Sequence, residues 1–350
     1  MIWKDDFYPD KSYLISLKVI IVFGNFHVQL LKRHTLVLSL FFVFAVSAPA
    51  QTGWKLNTAQ GSGDLVAVYF TSSDTGWIAG DKGYLASTAN GGQTWTKVPL
   101  GTTEDINEIY FRNDNNGYLV AGKKMFMTRD AGRAWQEIQI YKTGDFRNAV
   151  PEFLSIRFSD KKRGFVIGSL LNRSDQVIDS LVMRTEDGGD TWQRIIVPSK
   201  FELFHLDFNG SSHGWIVGDK GVILVTQNGG ANWTQQSSGV TAGIFNVDFR
   251  DDNDGYAVGE RGTILRTENG GQSWEKIVPP NTATFTRVDF ADDKNGWIVG
   301  HGGSILRSSD RGKTWVRQES RTKQDLYGLF MGKRYGFAVG AKGLILQFQK

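Results

Sequence analysis

Seven times the chain sets a glycine before an aromatic residue inside a short apolar run: Gly76-Trp77, Gly117-Tyr118, Gly164-Phe165, Gly214-Trp215, Gly255-Tyr256, Gly296-Trp297 and Gly336-Phe337. Successive copies lie 41, 47, 50, 41, 41 and 40 residues apart. A period near 40 with several short strands per unit marks a β-propeller, in which each repeat is one blade. Seven units predict an all-β, seven-bladed propeller of four-stranded antiparallel blades. Function is then expected in loops and on the axis rather than in the packed core.

The unit from Ile244 to Val278 shows the pattern. Phe245-Asn246-Val247-Asp248-Phe249 alternates apolar and polar residues, as a half-buried strand does. Gly255 to Gly259, Thr263 to Thr267 and Ser273 to Ile277 read as three further strands, separated by polar or glycine turns. The last unit stops after its third strand, Leu344 to Phe348, while Gly53-Trp54-Lys55-Leu56 reads as an orphan fourth strand. Trp54 precedes Phe70 by 16 residues, the interval that recurs from Trp95 to Phe111, Trp192 to Phe208, Trp233 to Phe249 and Trp274 to Phe290. Pairing the two chain ends would close the ring and leave no open sheet edge. The propeller is therefore expected over residues 52–350.

A turn of fixed form precedes six fourth strands. It reads Thr88-Ala-Asn90-Gly-Gly-Gln-Thr-Trp95 in the first unit and recurs around Asp130, Asp187, Asn228, Asn269 and Asp310, each time ending in Trp. The Asp or Asn side chain is expected to cap the turn, glycine to supply a left-handed backbone angle, and Trp to pack beneath. This turn resembles the Asp-box, or BNR repeat, of sialidases and other propellers. It is a structural signal. Half the copies carry Asn, which argues against calcium sites.

Gly255-Tyr-Ala-Val-Gly259 with Gly262-Thr-Ile-Leu-Arg-Thr267, and Gly296-Trp-Ile-Val-Gly300 with Gly303-Ser-Ile-Leu-Arg-Ser308, narrow the resemblance. Together with the Asp-box they resemble the photosystem II assembly and stability factor family, over about Trp54 to the C-terminus. That resemblance implies an exported, non-enzymatic scaffold whose partner is a protein, an assembling membrane-protein subunit. The alternative is a glycan-acting hydrolase of the sialidase type, or a lectin. Against the hydrolase, no Arg-Ile-Pro segment occurs, and Arg157, Arg184, Arg266, Arg287 and Arg307 mostly fall at repeat positions.

Charge and composition narrow the partners. The first fifty residues hold five Lys or Arg and three Asp, and the other 300 hold 35 basic and 33 acidic residues. A nearly balanced domain lacks the basic footprint of a nucleic-acid binder. There is no cysteine, so disulfides, thiolate metal sites and lipidated cysteine are excluded. No cofactor or metal motif is evident. His205, His213 and His301 lack ligand spacing. Lys32-Arg33-His34, an apolar run from Leu36 to Val46, and Ala48-Pro49-Ala50 have the form of a secretory signal peptide. Cleavage near Ala50 and a periplasmic or extracellular monomer without a stable membrane anchor are expected. The residues ahead of Lys32 suggest an over-extended start.

Two breaks in the repeat suggest a binding surface. Trp135 to Phe158 is 23 residues rather than 16, which places an insertion at Tyr141–Glu152. Gly164 to Thr185 is 21 residues rather than 12, which places a second at Leu170–Asp179. Both connections leave a blade on the same face of the disc. Tyr141, Phe146, Arg147, Asn172 and Arg173 are the expected contacts, aromatic and Arg side chains being common anchors. The plainer reading is drift in tolerant loops. The innermost strands also carry polar residues where a channel wall would be. One position reads Ala67, Glu108, Ser155, His205, Asn246, Arg287, Tyr327, and two residues on stand Tyr69, Tyr110, Arg157, Asp207, Asp248, Asp289, Leu329. Arg157, His205, Asp207, Asp248, Arg287 and Asp289 are thus expected to line the axis, by the plainer reading as a solvated channel.

Overall fold

The computed structural model describes residues 53–349, apart from 60, 62 and 143. The expected leader and its cleavage near Ala50 lie outside the described residues. Seven four-stranded antiparallel sheets are arranged in chain order. Their inner strands are Leu65–Phe70, Ile106–Phe111, Val150–Phe158, Leu203–Asn209, Ile244–Phe249, Phe285–Phe290 and Leu326–Met331, in blades one to seven. The second strands carry the Gly-aromatic pairs and are almost wholly buried, which is why they are the most apolar part of each repeat. The only helical pieces among the described residues are five three-residue 3-10 turns.

Blade seven is completed from the other end of the chain. Gly53–Thr58 pairs antiparallel with Leu344–Gln349, with Trp54 opposite Phe348. Deep burial of Trp54 ties the start of the propeller to its last sheet.

Blades are joined by a repeated aromatic triad. Trp77 of blade one stacks on Phe111 of blade two at 4.2 Å between ring centroids, and Trp135 of blade two meets Phe111 edge-on. The same arrangement recurs with Tyr118, Phe158 and Trp192, and with Phe337, Phe70 and Trp95 across blades seven and one. The second Asp-box glycine permits it. At Gly230, with φ +79°, an added Cβ would lie 2.0 Å from the Phe165 ring. The Asp-box side chain does cap its turn: Thr88 Oγ1 and the Thr94 N–H donate to Asn90 Oδ1 at 2.9 and 3.0 Å, and the Gly92 N–H donates to Thr88 Oγ1. Asp130, Asp187, Asn228, Asn269 and Asp310 repeat it. A second clip had no signal in the repeat pattern. An aspartate ahead of an inner strand accepts an N–H from the previous blade, as Asp105 does from Lys82 and Asp325 from Gly302.

Blade three departs from its neighbours. The first insertion is mostly turn, with strand only from Val150, whereas about half of the second lengthens strands, giving Val150–Phe158, Gly164–Leu171 and Val177–Thr185. Val150 pairs with Leu171, and Leu171 with Val177, so the three strands continue together beyond the usual end of a blade. β-branched residues at Val150, Val177 and Ile178 favour extension over a loop.

Candidate functional site

Two places carry the residues expected from the sequence: the strand extension of blade three and the axial cavity.

On the extension, the five expected contacts separate. Phe146 is 8% exposed and belongs to the core cluster of blades two and three. It is not a surface contact. Its ring lies 5.3 Å from Tyr141, which is half-buried against the same cluster, and Arg194 stands over it. These aromatics hold down the first insertion, which is why an apolar pair appears in a polar stretch. Asn172 closes the turn at the tip, accepting the Ser174 and Gln176 N–H groups. Of the five, only Arg147 and Arg173 are exposed. What sequence reasoning missed is the apolar surface beside them: Val150, Val177, Ile178 and Phe201 are 44, 37, 50 and 46% exposed. Its signal was the β-branched run Val177-Ile178.

The axis is a cavity of about 310 Å³ lined by inner strands. Arg157, His205, Asp207, Asp248, Arg287 and Asp289 all stand on its wall. Blade seven corrects the sequence alignment. Gly328 pairs with Val339 where Ala67 pairs with Ala79, so Gly328 and Phe330, not Tyr327 and Leu329, take the channel positions. The cause is a shorter turn. Met331 precedes Gly336 by five residues, whereas Phe70 precedes Gly76 by six.

Several of these groups tie blades together. Glu108 of blade two accepts the Ser155 hydroxyl and the Ile156 N–H of blade three, and pairs with Arg157 at 2.7 Å. Burial pushes its carboxyl up, but Arg157 and His205 more than offset this and hold it well below the usual range. Arg157 also reaches His205 Nε2 at 3.0 Å. Glu108 Oε1 lies 3.4 Å from the same nitrogen. Burial lowers His205 to about 4, leaving it neutral at pH 7. Its Nδ1 is buried without a hydrogen-bond partner.

Three carboxyls follow on blades four, five and six. Asp207 accepts the Phe249 N–H and Asp289 the Met331 N–H, at 2.8 and 2.6 Å. Asp248 has no such partner. Burial raises Asp207 to about 6 and Asp289 to about 7. Burial and the two neighbouring aspartates raise Asp248 well above the carboxylate range. Opposite stand Phe330, Tyr69 and Tyr110, in mutual ring contact. Three carboxyls within one cavity could suggest a metal, but no set of three ligating groups converges on one point among the described residues.

Comparison with known proteins places this geometry. The family model for "Photosynthesis system II assembly factor YCF48" matches residues 46–143, 93–201, 148–238, 196–279, 235–317 and 277–349 in overlapping copies. Among solved structures, one described as "YCF48 bound to D1 peptide" superposes with a TM-score of 0.69 at 21% identity, covering 85% of this chain and 97% of that one. YCF48 from Cyanidioschyzon merolae gives 0.68 at 20%, over 85% and 98%. Virginiamycin B lyase from Staphylococcus aureus gives 0.69 at 12%, over 85% and 100%. At these identities the superpositions show the shared propeller alone. No curated protein matched the chain.

Proposed function

Because the chain belongs to the family of photosynthesis system II assembly factor YCF48, we propose that it is a non-catalytic scaffold that holds a segment of an assembling membrane-protein subunit, outside the cytoplasm after its leader is removed. One observation carries the location: blade three extends its sheet past the disc face and exposes Val150, Val177 and Ile178 there. Exposed apolar side chains gathered at a departure from the repeat mark an interaction surface. A solved YCF48 bound to D1 peptide is similar in fold, and supports polypeptide as the class of ligand. Arg147 and Arg173 flank the apolar patch and supply bidentate donors for carboxylates.

The test is an array of peptides tiled over the exported loops and termini of the host's membrane proteins, probed with the purified protein. Peptides are expected to bind, and the double variant Val177→Asp/Ile178→Asp is expected to lose at least tenfold in affinity with its melting temperature nearly unchanged. An array without a binding peptide would overturn the reading, as would unchanged binding by the double variant. Turnover in a sialoside and polysaccharide panel would replace it with the glycan-hydrolase alternative.

A further inference from the structure

The axial cavity holds an acid and a guanidinium that the fold does not pair. Arg287 of blade six makes only a long contact, 3.5 Å, from Nη1 to the neighbouring Thr286 carbonyl, and no carboxylate of the described residues stands within ion-pair distance. Asp248 of blade five has neither a hydrogen bond nor an ion pair. Both line the cavity. The contrast with Arg157 is plain, since Glu108 neutralises that guanidinium at 2.7 Å. Polar groups at a cavity wall without protein partners forfeit hydrogen bonds, so an acid and a guanidinium left so in one cavity are free for something else to satisfy.

Their placement is ordered. On blades four to six the inner-strand residues His205, Asn246 and Arg287 form one tier, and Asp207, Asp248 and Asp289 form the next, two residues along each strand. The first tier offers donors. Asn246 is 3% exposed and spends its carbonyl oxygen on the Val288 N–H, which leaves its amide N–H₂ without a protein acceptor at the cavity wall. His205 is 4% exposed, and its Nδ1 has no protein partner among the described residues. The second tier is carboxyls. Two residues of strand separate the tiers by about 6–7 Å. Across the cavity, Phe330, Tyr69 and Tyr110 present ring surface rather than charge.

We propose that this cavity is a binding site for a small linear zwitterion, with its ammonium against Asp248 and its flanking aspartates, its carboxylate on Arg287 and Asn246, and its apolar middle against the aromatic wall. The tier spacing excludes α-amino acids, whose two charges sit closer together. It fits an ω-amino acid or a dipeptide, and a cavity of about 310 Å³ has room for either with water. The site is separate from the blade-three surface, so it stands or falls independently of the scaffold reading.

The test is isothermal titration of the full chain with 5-aminopentanoate and with glycylglycine, using pentylamine and pentanoate as single-charge controls. At least one zwitterion is expected to bind tenfold or more tightly than either control. Which of the two binds distinguishes an ω-amino acid from a dipeptide source. Asp248→Asn preserves shape and is expected to weaken binding at least tenfold. Arg287→Met should do the same, and its fold is checked by its melting curve. Absence of binding by both zwitterions at millimolar concentration would overturn the site. So would pentylamine binding as tightly as the zwitterions, or affinity unchanged in Asp248→Asn.

Discussion

Six of the seven junctions between blades are built alike, and the seventh is not. At the six, an aromatic residue of one second strand stacks on the Phe ending the next inner strand, and an Asp-box Trp closes the edge. Between blades six and seven the Phe is replaced by Met331, there is no Asp-box, and the Trp is Trp54 from the far end of the chain. Phe348 fills the gap, 5.2 Å from Trp297 and 5.4 Å from Trp54. Gln318 Oε1 accepts both indole N–H groups, at 3.3 and 3.2 Å. At ordinary junctions the indoles of Trp95, Trp135, Trp233, Trp274 and Trp315 are buried without a protein acceptor among the described residues, while Trp192 Nε1 donates to the Gly189 carbonyl. Ordinary junctions combine ring packing with scattered hydrogen bonds between blades, such as Tyr118 Oη to the Gly188 carbonyl and Trp215 Nε1 to the Gly270 carbonyl. The closing junction must hold a strand whose sequence neighbours lie elsewhere, and there a single side-chain acceptor, Gln318 Oε1, serves two indoles.

The harshest way to break this comparison is to remove the closing strand. Deleting residues 53–58 exposes a sheet edge and loses Trp54, and burial of one large aromatic alone is worth about 3–5 kcal/mol. The expected outcome is loss of the cooperative thermal transition or a fall of more than 10 °C in calorimetry. An unchanged melt would show that the ring does not depend on closure. Next comes an ordinary junction. Gly230→Ala forces a left-handed β-carbon into the Phe165 ring, at roughly 2–4 kcal/mol from backbone strain and overpacking together. Urea denaturation should show it as a lower midpoint with the slope unchanged.

Gln318→Leu sharpens the comparison at smaller scale. It removes the acceptor for two buried indoles and is expected to cost about 1–2 kcal/mol by the same measurement. A neutral result would mean that ring packing suffices at the closure. The smallest effect is electrostatic. Asp289 links blades six and seven through the Met331 N–H, and burial raises its carboxyl to about 7. An acid whose pKa is raised by folding stays protonated in the native state while the unfolded chain ionises. The parent therefore loses stability from this group as pH rises from about 4 to about 7. His205, lowered to about 4, acts in the opposite sense up to about pH 6.5, but is common to parent and variant. Asp289→Asn keeps the Met331 acceptor. Its melting temperature relative to the parent should climb between pH 4 and 8, and a flat difference would place the raised carboxyl elsewhere in the trio.

The sequence alone determined what is local and periodic. Blade number follows from the spacing of Gly-aromatic pairs, closure from an interval of 16 shared by Trp54 and its counterparts, and the capped turns from Asx and Gly at fixed offsets. Those features repeat because every blade meets the same physical demands. Tertiary structure decided what depends on neighbours distant in sequence. A turn one residue shorter put Gly328 and Phe330 on the axis instead of Tyr327 and Leu329. Pairing beyond the usual end of blade three turned parts of the expected loops into strand, and packing drew Phe146 of the first insertion's turn into the core. Alternation could place Asp248 and Arg287 on a channel wall, but not whether a partner awaited them there. Pairing of charges is set by distances between blades some 40 residues apart, and no local pattern in the chain records those distances.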